Sequence, residues 1–141
     1  MASRREFIKG SIGVTGLALC CGSSLLLQGC TSLTYVNATL VGERLVVNKL
    51  DLVNNKYVLL NHPKLMAPLY LKDPGNDQYL AILLLCTHKG CDVKPAGGIF
   101  VCPCHGSEFN SNGEVLQGPA EERLAIYDTS SDHSYVYINL K

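Results

Sequence analysis

The sequence predicts an all-β fold, a small antiparallel sandwich or barrel with two loops at one end that carry the functional residues. Three observations support this prediction. Apolar residues make up 47% and charged residues 17% of the 141-residue chain, which fits one folded domain rather than a disordered chain. Short segments rich in Val, Ile, Leu and Tyr recur along the body of the chain, with turn signals between them. No helical period persists long enough to compete with these strands.

The predicted strands alternate with recognisable turns. Turn signals that separate early strands occur at Asn54-Asn55 and at Asp73–Asn76. A hairpin turn is predicted at Gly97-Gly98, and the last two strands are joined as a hairpin by the segment TSSDH. In chain order, the predicted strand segments are RLVVNKL, KYVLLN, MAPLYLK, YLAILLL, EVLQ, RLAIYD and SYVYINL.

The first 29 residues differ from this body and indicate export. Arg4 and Arg5 precede Phe7-Ile8-Lys9, and 18 uncharged residues follow from Gly10 to Leu27. A basic start with an apolar middle is typical of an export signal. The string SRREFIK resembles the twin-arginine signal, which directs folded proteins across the bacterial inner membrane. We therefore predict residues 1–29 as a signal or membrane anchor and residues 30–141 as the exported domain.

The end of this segment predicts a membrane tether. Leu27–Cys30, LQGC, resembles a lipobox, in which Cys30 would be lipidated. The alternative is an uncleaved anchor, because 18 helical residues span about 27 Å, which is just enough for a bilayer core. Several Gly, Ser and Thr residues weaken such a helix and favour cleavage. Both alternatives place the domain on the outer face of the membrane.

Beyond the signal, the body carries nine basic and eleven acidic side chains, a net charge of −2. It shows no basic patch with interleaved aromatic residues, so a nucleic-acid role has little support.

Two short sequence motifs, which we call boxes, contain the candidate functional residues. CTHKGC spans Cys86–Cys91 and CPCHGS spans Cys102–Ser107, so the boxes hold four of the seven cysteines and two of the four histidines.

The spacing within the boxes pairs each histidine with one cysteine. Cys86 and His88 are two apart and face the same way in an extended loop, whereas the neighbours Cys104 and His105 face opposite ways. Cys102 can converge with His105 when the loop turns. Each box therefore offers one Cys–His pair and one spare cysteine. Three hypotheses remain open: a zinc site, two structural disulfides, or an iron–sulfur cluster with the spare cysteines bonded to each other.

The paired boxes resemble those of Rieske iron–sulfur proteins, over roughly residues 40–140. In that family two cysteines and two histidines hold a [2Fe–2S] cluster. The resemblance implies that Cys86 and Cys102 bind one iron and His88 and His105 the other. It also implies a disulfide between the other two box cysteines, Cys91 and Cys104, and a hydrogen bond from Ser107 to a bridging sulfide.

The net charge of such a cluster explains why two of its four ligands are histidines. Two ferric ions, two sulfides, two thiolates and two neutral imidazoles sum to zero, so an electron enters more easily than at a four-thiolate site. The resemblance implies quinol oxidation at the outer nitrogen of His88 or His105. We expect an electron-transfer subunit of a cytochrome bc-like complex, with a membrane quinol pool and cytochrome subunits as partners. The alternatives are a small subunit of an arsenite-oxidase-like enzyme and a non-redox metal or disulfide binding module.

Some positions depart from the family pattern. High-potential members commonly have a tyrosine two positions after Ser107, where this chain has Phe109, which lacks a donor. We therefore expect a reduction potential in the middle or lower part of the range of about −150 to +300 mV. Lys89 stands where respiratory members often have an apolar residue, and this favours a polar partner. His62 and His133 lie far from the boxes and are predicted to be surface residues.

Overall fold

The computed structural model describes residues 33–75 and 78–141. Strands dominate these two ranges, and their helical structure is one turn of 3₁₀ helix at Lys49–Asp51. The predicted all-β class is confirmed. No helix within the described ranges has the length and hydropathy that crossing a membrane requires. The predicted signal of residues 1–29 and the lipidation candidate Cys30 lie outside the described residues.

The strands of the described ranges are short, each having between two and five residues. In chain order they are β1 (Tyr35–Val36), β2 (Thr39–Val41), β3 (Arg44–Asn48), β4 (Val58–Leu60), β5 (Leu69–Lys72), β6 (Leu80–Leu83), β7 (Lys94–Ala96), β8 (Ile99–Val101), β9 (Glu108–Phe109), β10 (Val115–Gln117), β11 (Ile126–Tyr127), β12 (Thr129–Ser131) and β13 (Tyr135–Asn139).

These strands form three sheets. One sheet has the order β1-β4-β5-β6-β11, the second β10-β9-β8-β7, and the third β12-β13-β3-β2. The second sheet carries both boxes, because CTHKGC lies between β6 and β7 and CPCHGS connects β8 to β9. The two boxes thus emerge together from one end of a small sheet, as the sequence predicts.

Alternating apolar residues build the core between the first and third sheets. Leu45 and Val47 of β3 are fully buried and pair across the sheet with Ile138 and Val136 of β13, which are also fully buried. The intervening residues of both strands are more exposed. This period of two is the pattern of a strand with one face against a core.

A second core lies beneath the boxes. It consists of fully or almost fully buried side chains from strands of the first and second sheets and from the loops that join them: Leu59, Tyr70, Ile82, Leu84, Cys86, Val93, Phe100, Cys102, Phe109, Ala120 and Leu124. Two box cysteines therefore belong to the packed interior. Close packing of this kind holds the bases of both loops in place.

Two details of the strand pairing differ from the sequence prediction. β1 pairs with β4 in parallel, which is an exception within the antiparallel sandwich or barrel that the sequence predicts. The segment predicted as a turn, TSSDH, is mostly strand β12, and the turn is confined to the residues after Ser131. Thr129 fixes β12 by donating a hydrogen bond from its hydroxyl to the Tyr79 carbonyl at 2.6 Å. The parallel pair and the Thr129 hydrogen bond join residues that are distant in sequence, which local patterns do not report.

Asp132 organises the turn between β12 and β13 through three hydrogen bonds to its carboxylate. Its carboxylate accepts hydrogen bonds from the Tyr137 hydroxyl at 2.6 Å and from the backbone N–H groups of Ser134 and Tyr135 at 2.8 and 2.7 Å. These bonds, the one from Tyr137 first, hold the pKa of Asp132 below its ordinary value. A depressed carboxyl pKa stabilises the fold above the unfolded-state pKa and stops doing so as the pH falls through the folded-state value.

We therefore expect Asp132→Ala to lower the melting temperature at pH 7 and to have a much smaller effect at pH 2.5. Thermal unfolding followed by circular dichroism at both pH values measures this difference. Asp128→Ala is the matched control, because no hydrogen bond involves that carboxylate among the described residues. Equal losses for Asp132→Ala at the two pH values would contradict the role assigned to its charge.

Candidate metal centre

The first box is a tight loop closed by its own backbone. The Cys86 N–H donates to the Cys91 carbonyl at 2.8 Å, and the Gly90 N–H donates back to the Cys86 carbonyl at 2.8 Å. Gly90 has φ +71°, a conformation that side chains disfavour, so the loop needs glycine there. A bridge between Leu85 and Asp92 closes the base of the loop.

The second box repeats the same closure. The Cys102 N–H donates to the Ser107 carbonyl at 2.8 Å, the Gly106 N–H donates to the Cys102 carbonyl at 3.0 Å, and Gly106 has φ +76°. In the hydrogen bond that closes each loop, Cys102 has the position of Cys86 and Ser107 has the position of Cys91. The two loops are therefore matched turns, each of which presents a cysteine at its first position.

The structure brings the two Cys–His pairs of the sequence prediction together. The rings of His88 and His105 meet edge to face, with their centroids 4.9 Å apart and their planes at 86°. His105 is exposed and His88 is half-buried. Cys86 and Cys102 are only 3% and 2% exposed and have free thiols. Each box therefore contributes one imidazole to a contacting pair of rings and one buried free thiol.

The surroundings of Cys86 favour its thiolate. Burial alone raises the pKa of this thiol, but four hydrogen bonds more than offset burial and leave the pKa below its ordinary value. In order of size they come from the His88 backbone, the Cys102 and Ser107 side chains and the Lys89 backbone. A thiolate is the form of cysteine that binds a metal.

The predicted disulfide is confirmed. Cys91 and Cys104 are bonded, with S–S 2.08 Å and Cα atoms 6.5 Å apart, and this bond joins the first loop to the second. The Cys102 sulfur lies within 4.8 Å of both disulfide sulfurs. These three sulfurs are not a separate metal site, because a disulfide leaves Cys91 and Cys104 without thiolates to offer.

Ser107 lies inside the site and is fully buried. Its hydroxyl oxygen accepts a hydrogen bond from the Ala120 N–H at 3.0 Å. The hydroxyl proton remains available as a donor, and the Ser107 side chain hydrogen-bonds with Cys86. Ser107 therefore links the second loop to the first loop and to the segment after β10.

The end of β10 and the segment after it contact both loops through hydrogen bonds that the sequence does not predict. The Thr87 hydroxyl donates to the Glu122 carbonyl at 2.7 Å, and the Gln117 amide donates to the Gly106 carbonyl at 3.2 Å. The Gly118–Pro119 peptide bond is cis. Thr87 and Glu122 are 35 residues apart, so no local pattern could have indicated this contact.

Comparison with known proteins identifies the family. A family model described as the Rieske [2Fe–2S] domain matches residues 32–128, more than half of the chain. The chain belongs to the Rieske [2Fe–2S] family. The Cys91–Cys104 disulfide and the two facing box loops agree with this assignment, and the membership predicted from the boxes is confirmed.

Relatives of known role share the Rieske region. The cytochrome b6-f complex iron-sulfur subunit of Prochlorococcus marinus (strain MIT 9303) is 41% identical over 76 residues, which are 51% of this chain and 43% of the relative. The ubiquinol-cytochrome c reductase iron-sulfur subunit of Bradyrhizobium diazoefficiens is 42% identical over 55 residues, 37% of this chain and 31% of the relative. The chain matches less than half the length of these relatives.

Solved structures support the fold. The plasma membrane Rieske protein PetC3 from Synechocystis PCC 6803 superposes with a TM-score of 0.54 at 37% identity, covering 66% of this chain and 98% of that one. A chain from the complex of reduced oxygenase and oxidised ferredoxin in carbazole 1,9a-dioxygenase gives a TM-score of 0.52 at 25% identity, covering 70% and 94%. The match covers nearly the whole of each solved chain and about two thirds of this one.

The residues present fit a Rieske [2Fe–2S] cluster. Such a cluster needs two thiolates and two imidazoles that converge. Cys86 and Cys102 have free, buried thiols that are hydrogen-bonded to each other, and the His88 and His105 rings of the same two loops contact each other. His62 lies in another loop, where its Nδ1 accepts from the Lys64 N–H at 3.2 Å. Like the exposed His133, it takes no part in the site.

Phe109 belongs to the same buried cluster as Cys86 and Cys102 and is fully buried. We expect Phe109→Tyr to raise the midpoint potential by roughly 60 mV, equivalent to about 1.4 kcal/mol for one electron. The added hydroxyl would donate a hydrogen bond to a thiolate and reduce the electron density on sulfur. A redox titration followed by electron paramagnetic resonance measures the shift. Phe109→Leu, which adds no donor, should leave the potential within about 20 mV of wild type; an equal rise in that variant would contradict the explanation.

Proposed function

We propose that Cys86 and Cys102 bind one iron of a [2Fe–2S] cluster, that His88 and His105 bind the other, and that the domain transfers one electron at a time. The observation that carries this proposal is the convergence of two free buried thiols and two facing imidazoles on matched loops of a Rieske domain. When bound, the cluster supplies a one-electron redox centre that is neutral when oxidised.

The proposed electron donor is a quinol. His105 is the more exposed of the two histidines, so its outer ring nitrogen is the better acceptor for a hydrogen bond from a quinol hydroxyl. The same nitrogen can take the hydroxyl proton, because an unprotonated imidazole nitrogen has a free lone pair. Relatives named as subunits of the cytochrome b6-f complex and of ubiquinol-cytochrome c reductase support a quinol-oxidising complex with cytochrome subunits.

One feature supports a second candidate function, transfer of electrons from an exported oxidoreductase of the arsenite-oxidase type. Lys89 is exposed and directly follows His88 at the tip of the first loop. A charged side chain there is costly to bury in an apolar quinol pocket and suits a polar partner surface. The third hypothesis, a non-redox binding module, predicts a colourless protein.

The location is also proposed from the sequence. The twin-arginine string, together with the lipobox at Cys30, supports export across the bacterial inner membrane and a tether on the outer face. Replacing Arg4 and Arg5 by lysine should leave the protein in the cytoplasm. Cys30→Ala should release an exported chain from the membrane if lipid is the tether, whereas an uncleaved anchor would keep that variant bound.

Two measurements on the full chain, made with its export route intact, test the function. Dithionite reduction should produce the electron paramagnetic resonance signal of a histidine-ligated [2Fe–2S] cluster, and a protein without that signal would exclude electron transfer. Stopped-flow mixing of the oxidised protein with a short-chain quinol should then reduce the cluster. Failure of the quinol, with rapid reduction by a soluble protein donor, would favour the second candidate.

A further inference from the structure

A cleft of about 600 Å³ opens on the domain away from the His88–His105 tip. The turn of the β7–β8 hairpin, Gly97 and Gly98, lies at its edge, with φ values of +59° and +95°. The other ends of β7 and β8 lead into the two box loops. Three residues of strand span about 10 Å, so this cleft is distinct from the tip. Its size is in the range of small-molecule sites.

Three aromatic rings form one wall of this cleft, which we call the aromatic cleft. Tyr57 and Tyr70 have ring centroids 4.7 Å apart, and Phe100 packs edge to face on Tyr70 at 5.0 Å. Tyr70 and Phe100 are buried and Tyr57 is half-buried, so Tyr57 offers ring surface to a ligand. Burial, with a smaller contribution from Tyr57, raises the pKa of Tyr70 to about 12, so its hydroxyl stays neutral.

The charged side chains lining the aromatic cleft are all lysines. Lys56 and Lys72 line it, and no carboxylate is among its lining residues. Within the described ranges neither lysine forms an ion pair. Two ammonium groups beside an apolar, aromatic surface are complementary to an anion attached to a flat ring system.

We propose that the aromatic cleft binds a small planar aromatic anion, with Tyr57 contacting the ring system and Lys56 and Lys72 contacting the negative charge. This site is independent of the proposed electron-transfer role, because it uses none of the box residues. Ring stacking and partly exposed ion pairs each contribute modestly, so we expect weak to moderate affinity.

Calorimetry on the full chain carrying its cluster tests the proposal with three probes. Naphthalene-2-sulfonate, which has both the rings and the charge, should bind with one site per chain. Naphthalene-2-methanol lacks the charge and cyclohexanesulfonate lacks the aromatic rings, so each should bind about tenfold more weakly or not at all. Equal binding of all three probes, or no saturable binding of the first, would overturn the proposal.

Substitutions of residues that line the aromatic cleft test whether the probes bind there. Lys56→Gln/Lys72→Gln should weaken naphthalene-2-sulfonate binding about tenfold and leave naphthalene-2-methanol unaffected. Tyr57→Leu should weaken both aromatic probes. Lys64→Gln/Lys141→Gln removes two lysines that line a different groove, so wild-type affinity is expected for that control. An unchanged affinity in the cleft variants would refute the site, and an unchanged cluster signal in every variant would show that the electron-transfer centre is intact.

Discussion

Cys102→Ser and His105→Ala are each expected to lower the cluster content of the purified protein by more than about tenfold. Cys102 is 2% exposed and is hydrogen-bonded with Cys86, and the His105 ring contacts that of His88. In the described part of the chain the other free thiol is that of Cys86 and no further imidazole adjoins these two rings, so the loss of either side chain removes a proposed ligand that has no replacement. Iron analysis and the electron paramagnetic resonance signal of the reduced protein measure the effect.

His62→Ala and His133→Ala are the matched controls for the histidine variant. Both residues lie outside the two loops, and His133 is in the turn between β12 and β13. Each control should keep two irons per chain and the wild-type signal. A His105→Ala protein with full iron content and an unchanged spectrum would contradict the ligand assignment, even if its melting temperature had fallen.

Removing the disulfide between Cys91 and Cys104, which are 13 positions apart, is expected to lower the free energy of unfolding by about 3 kcal/mol, because the bond closes a short loop in the unfolded chain. For a domain of this size, this corresponds to a fall in melting temperature of roughly 10–20 °C. The disulfide is also the covalent link between the two loops, so the cluster should be lost sooner on heating. Calorimetry and loss of the visible absorption of the cluster measure the two effects.

The double variant Cys91→Ser/Cys104→Ser is the clean test. The Cys102 sulfur lies within 4.8 Å of both disulfide sulfurs, so a single variant would leave a lone thiol within reach of a candidate ligand. Single variants should therefore hold less cluster than the double variant. A double variant with wild-type melting temperature and cluster lifetime would show that packing and the Thr87–Glu122 contact hold the loops without the disulfide.

Much of the site could be predicted from the boxes because its chemistry is local. The residue types at Cys86, His88, Cys102 and His105 limit the possible ligands, and their spacing limits which of them can converge. Glycines at Gly90 and Gly106 supply the positive φ that each loop needs. The strands of the main core were also predictable, because residues of segments such as RLVVN and YVYIN alternate between more buried and more exposed positions along the strand.

The sequence by itself determined the ligand chemistry, the all-β class and the strand periods, since each depends on neighbouring residues. Only the tertiary structure decided that β1 runs parallel to β4, that Thr87 is bound to Glu122, that His105 is more exposed than His88, and that an aromatic cleft lies beside Lys56 and Lys72. These features join segments that are distant in sequence. Their geometry depends on how whole sheets pack together, and no local pattern of residue types encodes that packing.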